Sequence, residues 1–157
     1  FRSVPLLIQF VLFNSLKSIV GLDWSAFTVG CVVLGVYVAA FCTEIVRSGV
    51  LSVPQNLRLA SRSLGMTYWQ DLRYVVIPLA TRVAFPGWLN LSLSAMKDTA
   101  LVMWIGIIEL LRASQAIVTR IQEPLLVLCI AGLIYYLISL VVSRLGAQVE
   151  KRWQQND

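Results

Sequence analysis

The sequence predicts an all-α fold, a polytopic helical bundle embedded in a membrane, and three observations predict it. Of its 157 residues 58% are hydrophobic and only 13% charged, where an ordinary soluble domain carries roughly 25% charged residues. The apolar residues lie in long uninterrupted runs rather than in the alternating or 3.6-spaced patterns of half-buried elements, and the mean hydropathy is +0.77. Basic residues collect between those runs. Length bounds the chain to one small bundle.

Four apolar segments account for the bundle, giving about four membrane crossings. The first, Val4 to Val20, is interrupted by Gln9, Asn14, Ser15 and Lys17, which places it inside the bundle or beside a polar cavity. Trp24 to Thr43 and Pro124 to Ser143 are free of charge for about 20 residues, the length that crosses a hydrocarbon core. Each is bracketed by charges, Asp23 with Glu44 and Glu123 with Arg144. The remaining segment begins near Ile77, is apolar from Val83 to Met96, meets Lys97-Asp98 and resumes from Thr99 to Ile108. Such an interruption is typical of transporter helices that unwind near a transport path, and Pro86 with Gly87 predicts a kink.

Orientation follows from the arginines. The stretch from Arg47 to Arg82 also holds Arg58, Arg62 and Arg73 against a single interior acid, Asp71, and the C-terminal tail carries Arg144, Lys151 and Arg152. Basic loops stay on the cytoplasmic side, so both this stretch and the C-terminus are expected there. The chain then reaches the far side near Asp23, returns by Glu44, leaves after Arg82 and comes back through the last span.

Composition also excludes classes of function. The chain has no His, which removes His-based acid/base chemistry and His metal sites. Cys31, Cys42 and Cys129 fall inside apolar runs without CxxC spacing, the pattern of buried free thiols rather than of disulfides or a metal. The net charge is +5, but the basic residues form no contiguous patch with interleaved aromatics, so nucleic acid is not an expected partner. No nucleophile, base or metal set is assembled, and no catalytic residue is expected. The first apolar stretch lacks a signal peptide's cationic start and cleavage site, and the chain, starting at Phe1, reads as a fragment whose N-terminus is missing.

The loop between the second and third crossings is the most informative segment. Ser52-Val53-Pro54-Gln55 and Thr67-Tyr68-Trp69-Gln70 both read as capping boxes, the first with Pro in the first turn. Gly65 lies between them and fits the left-handed end of a helix, giving helix, sharp turn, helix. The first helix places Leu57, Ala60, Ser61 and Leu64 on one face and Arg58 with Arg62 beside it as an i, i+4 pair. Such a helix fits as a plug for a groove on a cytosolic partner. The other reading is a solvated connector whose arginines only set topology.

At these residues the chain resembles the permease subunits of bacterial ABC importers, whose cytoplasmic EAA motif runs Glu-Ala-Ala, three residues, Gly, nine residues, Ile, any residue, Leu, Pro. The matching positions are Leu59-Ala60-Ser61, Gly65 and Val75-Val76-Ile77-Pro78. Leu59 stands where the family has Glu and Ser61 where it has Ala, so the departure falls on the polar part of docking and not on the placement of the loop. Phe1-Arg2-Ser3-Val4-Pro5-Leu6-Leu7-Ile8-Gln9 is similar to the FRGTPLLVQ opening of the polar amino acid (histidine, glutamine, glutamate, arginine) branch. Thr43 to Gly49 resembles its AEIFRGG, Val53-Pro54-Gln55 its SIPKGQ, and Lys97-Asp98-Thr99-Ala100-Leu101, Ile105-Gly106 and Glu109-Leu110-Leu111-Arg112 its KDTSL, VIG and PELLRA. The matches are collinear over nearly the whole chain.

The resemblance implies a single permease domain over 1–157 with a methionine-importer-like fold, lacking the family's N-terminal helix, with residues 48–77 as the coupling loop. It implies a multi-pass protein of the bacterial inner membrane. Its partners would be a second permease subunit (the same or different), cytoplasmic ATP-binding cassette subunits that hold ATP and Mg, an extracytoplasmic solute-binding protein, and lipid. The implied ATPase-coupling residues are Arg58, Leu59, Ala60, Ser61, Arg62, Gly65 and Pro78.

For the substrate path the candidates are Lys97, Asp98 and Thr99, because ionisable groups at a helix break are costly in lipid and face a cavity or partner, and Gln9, which can hydrogen-bond a zwitterionic solute within the bundle. A boundary pair ending a helix explains Lys97-Asp98 as well, and hydrogen bonds to neighbouring helices explain Gln9 and Asn14. Glu109 with Arg112 and Glu44 with Arg47 are spaced to pair within a helix. The tryptophans and Tyr135-Tyr136 fit interfacial anchoring or packing. An ATP-independent channel or ion-coupled carrier is the alternative function.

Overall fold

A computed structural model describes residues 3–154; Phe1 and Arg2, which begin the opening match, lie outside them. The described residues form helices α1 (Leu6–Val20), α2 (Ala26–Leu51), α3 (Gln55–Ser63) and α4 (Tyr68–Asp71), a π-helical turn (Leu72–Val76), α5 (Ile77–Asp98), a 3₁₀ segment (Thr99–Ile105), α6 (Leu110–Ile121) and α7 (Pro124–Gln154), with no strand among them. This is the all-α class that the apolar runs predict.

Local chemistry sets the boundaries. Pro5 precedes α1, where its missing N–H costs nothing, and Gly21 ends the helix in the left-handed conformation at φ 72°. The Ser25 hydroxyl accepts the Thr28 N–H at 3.1 Å and so starts α2. At the other end α2 continues past Thr43 to Leu51. This overturns the capping box predicted at Ser52: the Ser52 hydroxyl donates back to the Gly49 carbonyl at 2.6 Å, and α3 begins after Pro54 without a side-chain cap.

Two helices, α2 and α7, are long and apolar enough to cross a membrane, and the helical path Tyr68–Ile105 with α6, bent by 57° at a short break, is a broken span or a re-entrant element that brings the number to three if it crosses as one. The first predicted crossing is the shorter α1, of 15 residues, roughly 22 Å against a hydrocarbon core of about 30 Å. The path from Tyr68 to Ile105 exceeds that thickness at about 57 Å, so part of it stands outside the core. Helix α7 runs on through Arg144, Lys151 and Arg152, so the basic tail is a helical extension rather than a loose end. Helix α5 passes through Pro86 and Gly87 as one element. It tightens into the 3₁₀ segment after Asp98, and Gly106 at φ 93° closes that segment ahead of the bend.

The chain divides into two compact units. One takes in the residues up to Ala40 with Ser92–Ser143; the other takes in Phe41–Leu91 with the residues from Arg144 onward. In the first, Leu6 and Phe10 of α1 pack with Val29 and Val33 of α2 and with Val102 and Ile105 of the 3₁₀ segment. In the second, Val53, Val76 and Ala80 form the core with Val50, Leu72 and Leu79 around them.

Small residues let α2 and α5 approach within that second unit, the usual solution where lipid removes the hydrophobic drive for helix association. A Cβ on Gly49 would fall 2.7 Å from the Ala80 carbonyl oxygen, and one on Gly87 would meet Ile45 at 3.3 Å. Gly146 of α7 is similarly filled by Leu89. Gly49→Val is therefore expected to destabilise the detergent-solubilised protein by about 1–3 kcal/mol through overpacking. Gly35→Ala, where a Cβ meets nothing within 4 Å, should stay within about 0.5 kcal/mol of the parent; denaturant titration followed by circular dichroism checks both.

Candidate functional site

The helix–turn–helix predicted between α2 and α5 is present and held from inside. Helix α3 ends in a Schellman motif: the Met66 N–H bonds to the Ser61 carbonyl at 3.2 Å and the Gly65 N–H to the Arg62 carbonyl at 2.9 Å. Gly65 sits at φ 79°, a conformation that costs an L-residue about 1–2 kcal/mol. Helix α4 then starts with the predicted capping box, the Thr67 N–H donating to Gln70 Oε1 at 2.8 Å and the Gln70 N–H to Thr67 Oγ1 at 3.4 Å.

The two short helices are joined by one buried carboxylate. Asp71 is 0% exposed; the Ser61 hydroxyl donates to its Oδ1 at 2.6 Å, and Arg58 Nε approaches its Oδ2 at 3.4 Å. Ser61 Oγ also lies 3.0 Å from the Arg58 carbonyl, but its single proton belongs to the shorter, charge-assisted contact with the carboxylate. The Ser61 hydrogen bond, with smaller contributions from the Arg58 hydrogen bond and the Arg58 and Arg62 charges, holds the Asp71 carboxyl below its ordinary value near 3.8 against the opposing effect of burial.

This arrangement corrects the predicted faces of α3. The inward residue is Ser61, 4% exposed, whereas Leu64 is 79% and Leu59 60% exposed. Ala60 and Arg62 also face outward. Arg58 turns toward Asp71, and it lines one depression on the outside of α3 together with Arg62. Pro78 stands apart at the start of α5, directly after the π-turn in which the Ile77 N–H bonds to the Leu72 carbonyl. A proline in that position lacks an N–H and crowds the carbonyl four residues earlier, and the wider turn relieves that crowding.

Of the substrate-path candidates, Gln9 is buried in α1 and its Nε2 donates to the Val4 carbonyl at 2.8 Å. Lys97 is exposed and Asp98 half-buried at the end of α5. Thr99 opens the 3₁₀ segment and donates to the Met96 carbonyl at 2.6 Å. Lys97-Asp98 thus marks a change of helix type, while the sharp bend falls beyond Gly106.

Glu109 and Arg112 do not pair side chain to side chain. The Glu109 carboxylate caps α6, accepting from the Leu111 N–H at 2.9 Å and the Arg112 N–H at 2.8 Å, and receives the Tyr135 hydroxyl of α7 at 3.1 Å. Arg112 Nη1 instead donates to the Met103 carbonyl at 3.3 Å. Glu44 and Arg47 do pair, at 2.9 Å.

Neither Asp71 nor the Glu109–Tyr135 contact follows from the spacing patterns. A signal for Asp71 existed: it is the sole acid between Arg47 and Arg82, ten residues beyond Ser61 across a turn closed by glycine.

Apolar helices of crossing length, a capped hairpin of short helices and a helix that changes type in mid-course define a helical membrane protein. The chain matches over residues 1–155 the family described as binding-protein-dependent transport system inner membrane component, and it belongs to that family. It is 32% identical over 153 residues to the glutamine transport system permease protein GlnP of Escherichia coli strain K12, covering 96% of this chain and 70% of GlnP. The nopaline transport system permease protein NocM of Agrobacterium fabrum strain C58 is 36% identical over 155 residues, 92% of this chain and 64% of NocM. The L-cystine transport system permease protein TcyB of Bacillus subtilis strain 168 is 33% identical over 152 residues, 96% and 65%. The crystal structure of an amino acid ABC transporter with histidines matches with a TM-score of 0.88 at 32% identity, covering 96% of this chain and 71% of that one. GlnP carries a name from the amino acid branch that the sequence resembles, NocM and TcyB are permease proteins of nopaline and L-cystine transport systems, and the chain spans between 64% and 71% of the lengths of these four matches.

A consequence of the buried carboxylate is testable by acid titration. Because the folded-state pKa of Asp71 is depressed, its contribution is complete above the ordinary value near 3.8 and disappears as pH falls through the lower folded value. With Trp69 kept as the sole tryptophan, fluorescence should be flat from neutral pH down to that value and change below it; Asp71→Asn should abolish the acid transition.

Proposed function

We propose that this chain is the membrane-spanning, non-catalytic subunit of an ATP-driven importer, forming the path for a polar amino acid. Its coupling to cytoplasmic ATP-binding cassette subunits runs through the helix–Gly–helix loop. The carrying observation is that loop itself: two short helices closed at Gly65 and clamped by Asp71, set between α2 and α5 in a chain of the transport-component family. A connector that only sets topology needs neither the Schellman closure nor a buried charge, which is costly to desolvate. A pre-formed rigid plug needs both.

In this reading Arg58, Leu59, Ala60, Ser61, Arg62, Gly65 and Pro78 place or form the coupling surface, with Asp71 added as its internal support. ATP and Mg belong to the partner, whose hydrolysis would expose the path alternately to each side. Gln9, Lys97, Asp98 and Thr99 lie toward that path. A second permease subunit, the same or different, and an extracytoplasmic solute-binding protein complete the assembly. The arginine distribution supports a cytoplasmic loop and C-terminus in this reading. The names of GlnP, NocM and TcyB support an amino acid or amino acid derivative as cargo.

Co-purification of the full-length permease with its ATPase is the test. Gly65→Pro cannot adopt φ 79°, and it should release the ATPase and reduce amino acid uptake by about tenfold or more. Unaltered ATPase retention in that variant would remove the coupling role. Solute flux through the permease reconstituted without any ATPase would instead establish a channel or ion-coupled carrier.

A further inference from the structure

Where α1 turns into α2, the two helices leave a groove of about 350 Å³ between them. Leu16, Val20 and Val32 wall it, Val29 floors it and Trp24 stands at its end, while its lining carries one charge, Lys17. Val20 and Val32 keep much of their surface exposed, so the groove opens sideways. The Lys17 ammonium donates to the Trp24 carbonyl at 2.9 Å, which engages one of its three N–H groups. The other two have no acceptor among the described residues. Asp23 is exposed and adjoins Trp24, at a Cα spacing of about 3.8 Å, so a negative charge stands at the same mouth.

This mouth lies at headgroup level. Helix α1 is shorter than the hydrocarbon core is thick, and a lysine in its last turns runs its stem along apolar surface to bring its charge to the interface. Tryptophan marks the same level. A neighbouring helix is a poor occupant of the groove, because its peptide groups are already satisfied within it and covering Lys17 would strand two N–H groups in hydrocarbon. A phosphodiester accepts both as charge-assisted hydrogen bonds, and an acyl chain fills the apolar length. Asp23 then selects the headgroup. Phosphatidylglycerol brings negative charge alone against that carboxylate, and phosphatidylcholine a cation without N–H donors, whereas phosphatidylethanolamine brings an ammonium that donates to it.

We infer that the groove between α1 and α2 is a phosphatidylethanolamine site in the leaflet where α2 begins, with one acyl chain along Leu16, Val20 and Val32, the phosphate on the Lys17 ammonium and the headgroup ammonium on Asp23. The inference rests on the membrane embedding of the chain and not on the coupling role of the hairpin.

The test incubates full-length permease, purified in mild detergent, with an equimolar mixture of dioleoyl phosphatidylethanolamine, phosphatidylglycerol and phosphatidylcholine, and reads the retained lipid by native mass spectrometry. Wild type should retain phosphatidylethanolamine over the other two by about tenfold. Lys17→Gln should lower that retention by about tenfold, and Asp23→Asn should bring the three lipids to within about twofold of one another. Val32→Trp, which fills the groove, should lower retention of all three. Circular dichroism equal to wild type shows that the variants fold. Retention that ignores the headgroup and survives Lys17→Gln is ordinary surrounding lipid and overturns the inference. A preference for phosphatidylglycerol that Lys17→Gln abolishes and Asp23→Asn strengthens overturns it too, since Lys17 alone then defines the site. A photo-crosslinker at Val32 should label lipid; if it joins another segment of permease instead, a helix fills the groove and the inference falls.

Discussion

Hydrocarbon offers no hydrogen bonds, so each peptide group that enters it must be satisfied by its own chain. That constraint decides where this protein is regular and where it is free to depart from regularity. Through α2 and the apolar part of α7 the backbone is continuous helix, and Gly49, Gly87 and Gly146 trade side chains for close contact between helices. Departures collect elsewhere. At the 3₁₀ segment and the bend after it, the Gly106 N–H bonds to the Met103 carbonyl, which Arg112 also reaches, and the Leu111 N–H bonds to the Glu109 carboxylate. The π-turn and the glycine closure belong to the hairpin between α2 and α5.

That hairpin stores its polar content internally. An ionised carboxylate removed from water is tolerated only with partners on its oxygens, and Asp71 has Ser61 on one and Arg58 on the other. The outcome is a cross-linked hairpin whose exposed formal charges are all positive.

Much of this architecture was legible because its determinants are local. Charge-free runs mark α2 and α7, glycine fixes the end of α3, and Thr67 with Gln70 fixes the start of α4. The helix limits were less legible, since charged residues such as Glu44, Arg47 and Arg144 end an apolar run without ending the helix. Ser52 looked like a cap because the pattern is right, yet α2 overran it and took its hydroxyl. The contacts that organise the candidate site, Asp71 with Ser61 and Glu109 with Tyr135, join residues 10 and 26 positions apart. Periodicity within one helix carries no information about pairs that meet only after the chain has turned.

The π-turn before Pro78 has an angular meaning. Each residue of an α-helix advances the winding by about 100°, so accommodating Leu72–Val76 in a wider turn resets the rotational phase between what precedes it and α5. Wound as ordinary α-helix, the same residues would swing α4 about the α5 axis by roughly one residue's advance, and α3 would follow through Asp71. The azimuth at which the hairpin leaves its supporting helix is thus fixed by a single widened turn.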